Sequence, residues 1–271
     1  MNETRNIIVG LEIGKQQSQI CYFDRKEKEP ISISVKTGCN QYLFPTMLSK
    51  KPGEEVWHFG MEAQYLRGCI SLLGTADPAR QIKAVMITVP KLSKTMVGAL
   101  YQAGERMGFG RNQIFLQDYD ESFYYYVMNH RRDNWNRKIG CFLFEEKEVS
   151  FASLVIDSQK RPMTAYIEHG VTVPISQDPV ERDENFYRLI ARSCAAEPYS
   201  SIYIVGDGFD QEWAVRSTPY LCKNQRHVYY GNNLYVKGAC YGAREKCDEG
   251  ILKGYLYLSP SLVRNHVAME M

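Results

Sequence analysis

The same order of apolar runs and turns passes twice through this chain, about 130 residues apart, and few folds can hold such a repeat. Residues 7–24, IIVGLEIGKQQSQICYFD, are two apolar runs joined by a short polar turn, which predicts a β-hairpin. Residues 31–35, ISISV, alternate with period two and add a third strand to make a meander. Residues 38–51 read as irregular, 61–72 as a helix and 74–80 as a loop. The β-branched run 83–90, KAVMITVP, is a buried strand stopped by proline. Ser93 is placed to cap a helix over 94–107, where Met96, Leu100, Ala103 and Met107 share a face and Gly108 and Gly110 follow. A strand at 114–116 and a helix over 118–129 complete a βββαβαβα series.

After the charged connector 130–138, the series restarts. Strands are predicted at 139–144, 149–156 and 163–167, then helix 184–196, strand 201–205, helix 211–221, strand 226–230 and helix 234–246. The expected domains are therefore 1–132 and 133–249. Residues 250–271 form a C-terminal extension, either an edge strand or the start of a further region.

Composition narrows the function classes. At 271 residues and 44% hydrophobic content the chain can fill a substantial core. Its 33 Lys plus Arg nearly balance 31 Asp plus Glu, for a formal charge of +2, whereas nucleic-acid binding usually shows as a clustered basic excess. Eight cysteines sit mostly inside apolar runs with no C-x-x-C pair, the pattern of buried free thiols in a reducing compartment. The N-terminus lacks the h-region of a signal peptide, and no uninterrupted apolar stretch is long enough to span a membrane. A cytoplasmic location is expected.

The first turn is equipped to hold a phosphate. Glycine at 14 frees backbone amides, Lys15 adds charge, Ser18 a hydroxyl, and Glu12 stands at the lip of an otherwise apolar strand. Each residue also has a plainer reading. Glu12 can be a solvated strand end, Asp118 or Asp120 an N-cap, and Gly206 and Gly208 a simple strand-to-helix turn. The tyrosine run 124–126 reads as packing with an exposed phenol. Trp57, His58, His169 and His227 carry no site role.

Residues 83–127 resemble the corresponding stretch of DnaK-type heat-shock chaperones and their actin-like relatives. There an "AVITVP" strand, a helix with an Ala-Gly step, a glycine stop and an acidic or amide residue opening the next helix occur in this order. Here Ala84 to Pro90, Ala103-Gly104, Gly108 and Asp118 match. Glu12-Ile13-Gly14 is similar to the first phosphate motif, usually D-x-G, and Phe44-Pro45-Thr46 to the P-S turn. Phe59-Gly60-Met61-Glu62-Ala63 is similar to the G-x-x-A helix start, Ile204-Val205-Gly206-Asp207-Gly208 to the adenosine motif, and 238–242 to the closing helix. The resemblance implies an α/β fold of two duplicated ribonuclease-H-like, actin-like subdomains around a central cleft that holds ATP or ADP with Mg²⁺.

On that resemblance Glu12 and Asp118 are the catalytic and metal-binding carboxylates. Gly14, Lys15 and Ser18 receive phosphates, and Gly206, Asp207 and Gly208 hold adenosine. The second half departs from the family. Where D-x-G-x-G is expected it has Leu143-Phe144-Glu145-Glu146-Lys147-Glu148, so the glycines are gone and three glutamates sit where a phosphate would be received, and like charge there opposes binding unless a cation intervenes. Segments 60–83 and 170–183, where chaperones insert their outer subdomains, are short. The resulting expectation is a weak or inactive ATPase that acts as a scaffold or nucleotide-dependent switch through a protein partner or self-assembly. The alternatives are a working Mg-dependent ATPase in which Glu145 or Glu146 replaces the aspartate, and a small-molecule kinase of the same superfamily.

Overall fold

Ile7–Ile13 (β1) is buried from end to end, because it is the central strand of a sheet covered on both faces. It pairs antiparallel with Gln17–Phe23 (β2), which also pairs with Ile31–Ser32 (β3) and, further along, with Phe44–Pro45 (β4). The computed structural model describes residues 7–24, 27–35, 41–46, 62–194, 197–247 and 250–259. The predicted roles of Phe59-Gly60-Met61 and the residues Trp57 and His58 lie outside that set.

After Glu62–Ser71 (α1) comes Pro78–Gln81 (α2), a short helix where the sequence predicts only a loop. Proline sits in its first turn, and the Asp77 carboxylate accepts from the Arg80 amide. Ile82–Val89 (β5) then lies parallel to β1. Lys94–Arg106 (α3) is capped by Ser93, whose hydroxyl accepts from the Met96 amide at 3.2 Å. Ile114–Asp118 (β6) pairs parallel with β5, and Tyr119–Met128 (α4) follows directly.

The second series is Lys138–Phe144 (β7), Glu148–Asp157 (β8), Met163–Pro174 (β9), Pro179–Cys194 (α5), Tyr199–Val205 (β10), Ser217–Leu221 (α6), His227–Tyr230 (β11), Leu234–Cys247 (α7) and Tyr255–Tyr257 (β12). Only the last five residues of the predicted helix 211–221 are helical. The preceding turns are pinned by Asp183, which accepts from the amides of Arg216 and Ser217. Residues 255–257 form an edge strand parallel to β9.

The sheet orders are β3-β2-β1-β5-β6 and β11-β10-β7-β8-β9-β12. Read outward from β1 and from β7, the sheets place β2-β3 and β8-β9 on one side and β5-β6 and β10-β11 on the other, with β4 added beside β2 and β12 beside β9. The duplication is thus written in the topology, and the fold is the duplicated ribonuclease-H-like, actin-like one. Contacts divide the chain into two units, Met1–Tyr126 with Tyr235–Ile251, and Val127–Leu234 with Leu252–Met271.

In the first unit, Val9, Leu11 and Ile13 pack toward Leu66 and Ile70 of α1 and Leu100 and Ala103 of α3. On the other face Ile8, Cys21, Ala84 and Met86 meet Val236, Ala239, Cys240 and Ala243 of α7. That helix approaches so closely that a Cβ on Gly10 would lie 2.5 Å from the Val236 carbonyl oxygen and 2.7 Å from the Cys240 amide nitrogen. Gly238 and Gly242 lie against Ser122 and Tyr125 of α4 in the same way. In the second unit Phe142, Phe144, Phe186, Ile202 and Ile204 form the centre of the core under α5 and α6.

The described cysteines are free, and most are buried. Among the described residues no helix is long and apolar enough to cross a membrane.

Two predictions test this packing. Gly10→Ala forces its methyl group into α7 backbone and is expected to lower stability by about 2–3 kcal/mol, read from urea midpoints. Gly98→Ala, with open space around it on α3, is expected to be neutral or stabilising by up to about 1 kcal/mol. Equal effects of the two would contradict the close approach of α7. Burial also pushes the Cys69 and Cys194 thiols from 9.0 up to about 12. The unfolded chain loses those protons first, so the stability they contribute is fully present below pH 9 and is lost as pH rises toward 12. The urea midpoint is expected to fall across that interval, with a shallower slope in the Cys69→Ala, Cys194→Ala double variant.

Candidate functional site

Strand register builds a polar row across the first sheet. Glu12 on β1 lies opposite Gln19 on β2 and Thr88 on β5, and Thr88 lies opposite Gln117 on β6. All four are buried, at the carboxyl ends of the parallel strands β1, β5 and β6, where open α/β sheets place their ligands. Glu12 is 7% exposed. Its Oε2 accepts from Gln19 Nε2 at 3.0 Å and its Oε1 from the Tyr119 hydroxyl at 2.8 Å. Gln117 Nε2 donates to Thr88 Oγ1 at 2.9 Å, while Gln117 Oε1 is buried without a hydrogen-bond partner. The Tyr119 ring is held by a stack on Tyr235 of α7, centroids 3.8 Å apart.

The turn after β1 is tight. The Gly14 amide donates to the Gln17 carbonyl at 3.0 Å and so closes the turn on itself. A Cβ at Gly14 would lie 3.1 Å from the Tyr119 hydroxyl, which places that hydroxyl beside both Gly14 and Glu12. Lys15 is exposed at the tip. Ser18 points to the opposite face of the sheet from Glu12, where its hydroxyl accepts from Tyr65 at 2.7 Å and shares a 2.8 Å hydrogen bond with Thr46. Burial raises the Tyr65 phenol above its ordinary pKa, so it stays a proton donor.

Asp118 ends β6, and its Oδ1 accepts from the Glu121 amide at 2.9 Å, the N-cap geometry of α4. The two carboxylates expected to share a metal are thus engaged in separate protein hydrogen bonds. Among the described residues no cluster of three or more His, Cys, Asp or Glu side chains is arranged to hold a metal ion. The donor set present does not fit a dedicated Mg²⁺ cage.

In the second unit the turn after β7 closes as its counterpart does, the Glu145 amide donating to the Glu148 carbonyl at 2.9 Å. Glu145 therefore occupies the position of Gly14, and Leu143 that of Glu12. Leu143 lies between Ser150 on β8 and Val205 on β10, so no carboxylate row forms here. Gly206, with φ +96°, folds over this turn so closely that a Cβ would sit 1.9 Å from the Phe144 carbonyl oxygen. Its amide donates to Asn232 Oδ1 at 3.1 Å, and Asn232 Nδ2 donates to Asp207 at 2.7 Å. A Cβ on Gly208 would lie 3.3 Å from the Glu145 carbonyl oxygen and 3.0 Å from Arg182 Nη2.

The structure therefore gathers Glu12 and Gly14 in the first unit, and Glu145, Gly206, Asp207 and Gly208 in the second. Gln19, Thr88, Tyr119 and Arg182 escape sequence reasoning. Gln19 and Thr88 could have been found from the register of neighbouring strands, since each pairs with Glu12. Nothing local marks Arg182.

Residues 64–260, well over half of the chain, match the model described as the C-terminal family of unknown function DUF5716. The chain belongs to this family. No curated protein matches it. Among solved structures, the DUF5716 chain is similar to the inorganic polyphosphate/ATP-glucomannokinase of Arthrobacter sp. strain KM, at 11% identity and a TM-score of 0.51 over 88% of this chain and 98% of that one. It is also similar to a ROK family glucokinase of Streptomyces griseus in complex with glucose and AMPPNP, at 10% identity and a TM-score of 0.51 over 89% and 100%. A Bacteroides thetaiotaomicron protein with actin-like ATPase fold and unknown function aligns at 8% identity and a TM-score of 0.44 over 88% and 96%. At such identities the likeness is one of fold alone, the duplicated ribonuclease-H-like, actin-like fold described above.

Replacing Glu12 should reveal its structural role. Glu12→Ala leaves the Tyr119 hydroxyl and the Gln19 amide without their acceptor and is expected to lower stability by roughly 1–3 kcal/mol with no nucleotide present. An unchanged urea midpoint would mean that the hydrogen-bonded row does not support the sheet.

Proposed function

We propose that this protein is a member of the actin-like ATPase superfamily that hydrolyses ATP weakly or not at all and works as a scaffold or nucleotide-dependent switch through protein contacts. The observation that carries this reading is the pair of matched turns closed by Gly14 and Glu145. Matching them puts Leu143 at the position that Glu12 holds in the first hairpin, so the second hairpin has no carboxylate on its central strand to order an attacking water. It also puts a side chain and negative charge at Glu145, so a phosphate at this turn would be held only weakly unless a cation offsets that charge.

The remaining first-unit groups act modestly in this reading. Glu12, oriented by Tyr119 and Gln19, and Asp118 at the α4 cap are the carboxylates available to a hydrated Mg²⁺. Lys15 and Ser18 flank the first turn, and Gly206, Asp207 and Gly208 form the second-unit loop for adenosine. A metal ion, when bound, would neutralise phosphate charge. The chain's own contribution is to hold the two turns rigid. A partner protein or a further copy of the chain would read the bound or empty state.

Calorimetric titration with ATP and Mg²⁺, paired with a phosphate-release assay with and without glucose, tests the reading. Expected are weak or undetectable binding and no release above buffer in either condition. Tight binding with turnover that Asp118→Ala abolishes would establish an active ATPase instead, and glucose-dependent turnover a kinase.

A further inference from the structure

The second unit holds a guanidinium that no carboxylate among the described residues pairs with. Arg182, in the first turn of α5, lies with its guanidinium carbon 5.1 Å from the centroid of the Trp213 ring. Trp213 is itself fixed in a cluster with Phe144, Phe186 and Phe209, at centroid distances of 5.9, 6.0 and 5.6 Å. The head group rests against the bare Cα of Gly208, at the junction of the 206–208 loop and the 145–148 turn.

Every acid beside Arg182 on its helix is engaged elsewhere. Glu181 accepts from Ser176, Asp183 from Ser217, and Glu184 pairs with Arg188 and Arg216. Among the described residues none forms an ion pair with Arg182, and its Nε is sealed from solvent with no hydrogen-bond partner. Desolvation lowers its pKa from the ordinary value, yet arginine keeps its proton in proteins. The first amides of α5, those of Val180 and Glu181, already donate to Asp178, so the helix end is not the receptor. A half-buried, unpaired cation is unfavourable, and an anion from outside the chain relieves it.

We propose that Arg182 is the anion-receiving group of the second unit, binding a phosphate of a nucleoside diphosphate without a metal ion where the 206–208 loop meets the 145–148 turn. The proposal rests on the nucleotide reading above for the nucleoside, but not for the anion. It gives the three glutamates of the second hairpin the compensating cation that phosphate binding there requires. The planar fork of the guanidinium suits two phosphate oxygens, and Trp213 holds it in place.

The test is calorimetry on the full chain in EDTA with three probes, ADP, adenosine and inorganic pyrophosphate. It compares the wild type with Arg182→Ala, Arg182→Lys and the surface control Arg188→Ala, each checked for an unchanged melting profile. Arg182→Ala is expected to weaken ADP and pyrophosphate by about ten-fold or more, Arg182→Lys by less, and Arg188→Ala not at all, with adenosine unaffected throughout. Pyrophosphate bound equally by wild type and Arg182→Ala, or not bound by wild type at millimolar concentration, overturns the proposal. Arg182-dependent pyrophosphate binding without ADP or adenosine binding upholds the anion site and refutes the nucleotide reading.

Discussion

Backbone-to-backbone contact between α7 and β1 at Gly10 is the constraint on which the first unit depends. Helices normally stand off a sheet by the length of two side chains, and here one of those side chains is missing. The approach lets Val236, Ala239, Cys240 and Ala243 seal the Ile8, Cys21 and Met86 face. It also carries Tyr235 onto the Tyr119 ring, and the Tyr119 hydroxyl in turn holds Glu12. The geometry of the candidate carboxylate is therefore set by a helix more than two hundred residues away in sequence. Small residues recur along that helix because α4 is also close, at Gly238 and Gly242.

The two hairpins share a turn and differ in chemistry. Both close with one amide-to-carbonyl hydrogen bond across the same number of residues, the bond of Gly14 with Gln17 and that of Glu145 with Glu148. Around the first, register assembles Gln19, Glu12, Thr88 and Gln117. Around the second it assembles Ser150, Leu143 and Val205. A duplicated scaffold tolerates this asymmetry because hairpin geometry is fixed by backbone hydrogen bonds, which do not depend on what the outward side chains carry. The second unit has concentrated its polar character elsewhere, in the Asn232 brace of the 206–208 loop and in Arg182 over Trp213.

Much of the fold was legible in the sequence. The two apolar runs and short polar turn of the β1–β2 hairpin, the β-branched run of β5 and the Ser93 cap each state their element locally. The N-cap reading of Asp118 also follows from local chemistry, an acid directly before a helical run. Other features were hidden for definite reasons. The α2 turn is too short to show periodicity, and the extended turn before α6 exists because Asp183, from another helix, satisfies its amides. Ser18, adjacent to the first turn and equipped with a hydroxyl, read as a phosphate ligand, while the pleat sends it to the face where Tyr65 and Thr46 engage it.

Sequence alone determined the order of elements, the duplication, the presence of an acid in the first central strand and the loss of glycine in the second hairpin. These are properties of short windows, where periodicity and turn chemistry act without long-range help. Tertiary structure alone decided which residues share the site. Strand pairing set Glu12 beside Gln19 and Thr88, the return of α7 set Tyr235 on Tyr119, and the fold of the 206–208 loop set Gly208 against the Arg182 guanidinium. Apart from the hairpin pair of Glu12 with Gln19, those juxtapositions depend on contacts between residues far apart in the chain, and pattern within a window carries no information about them.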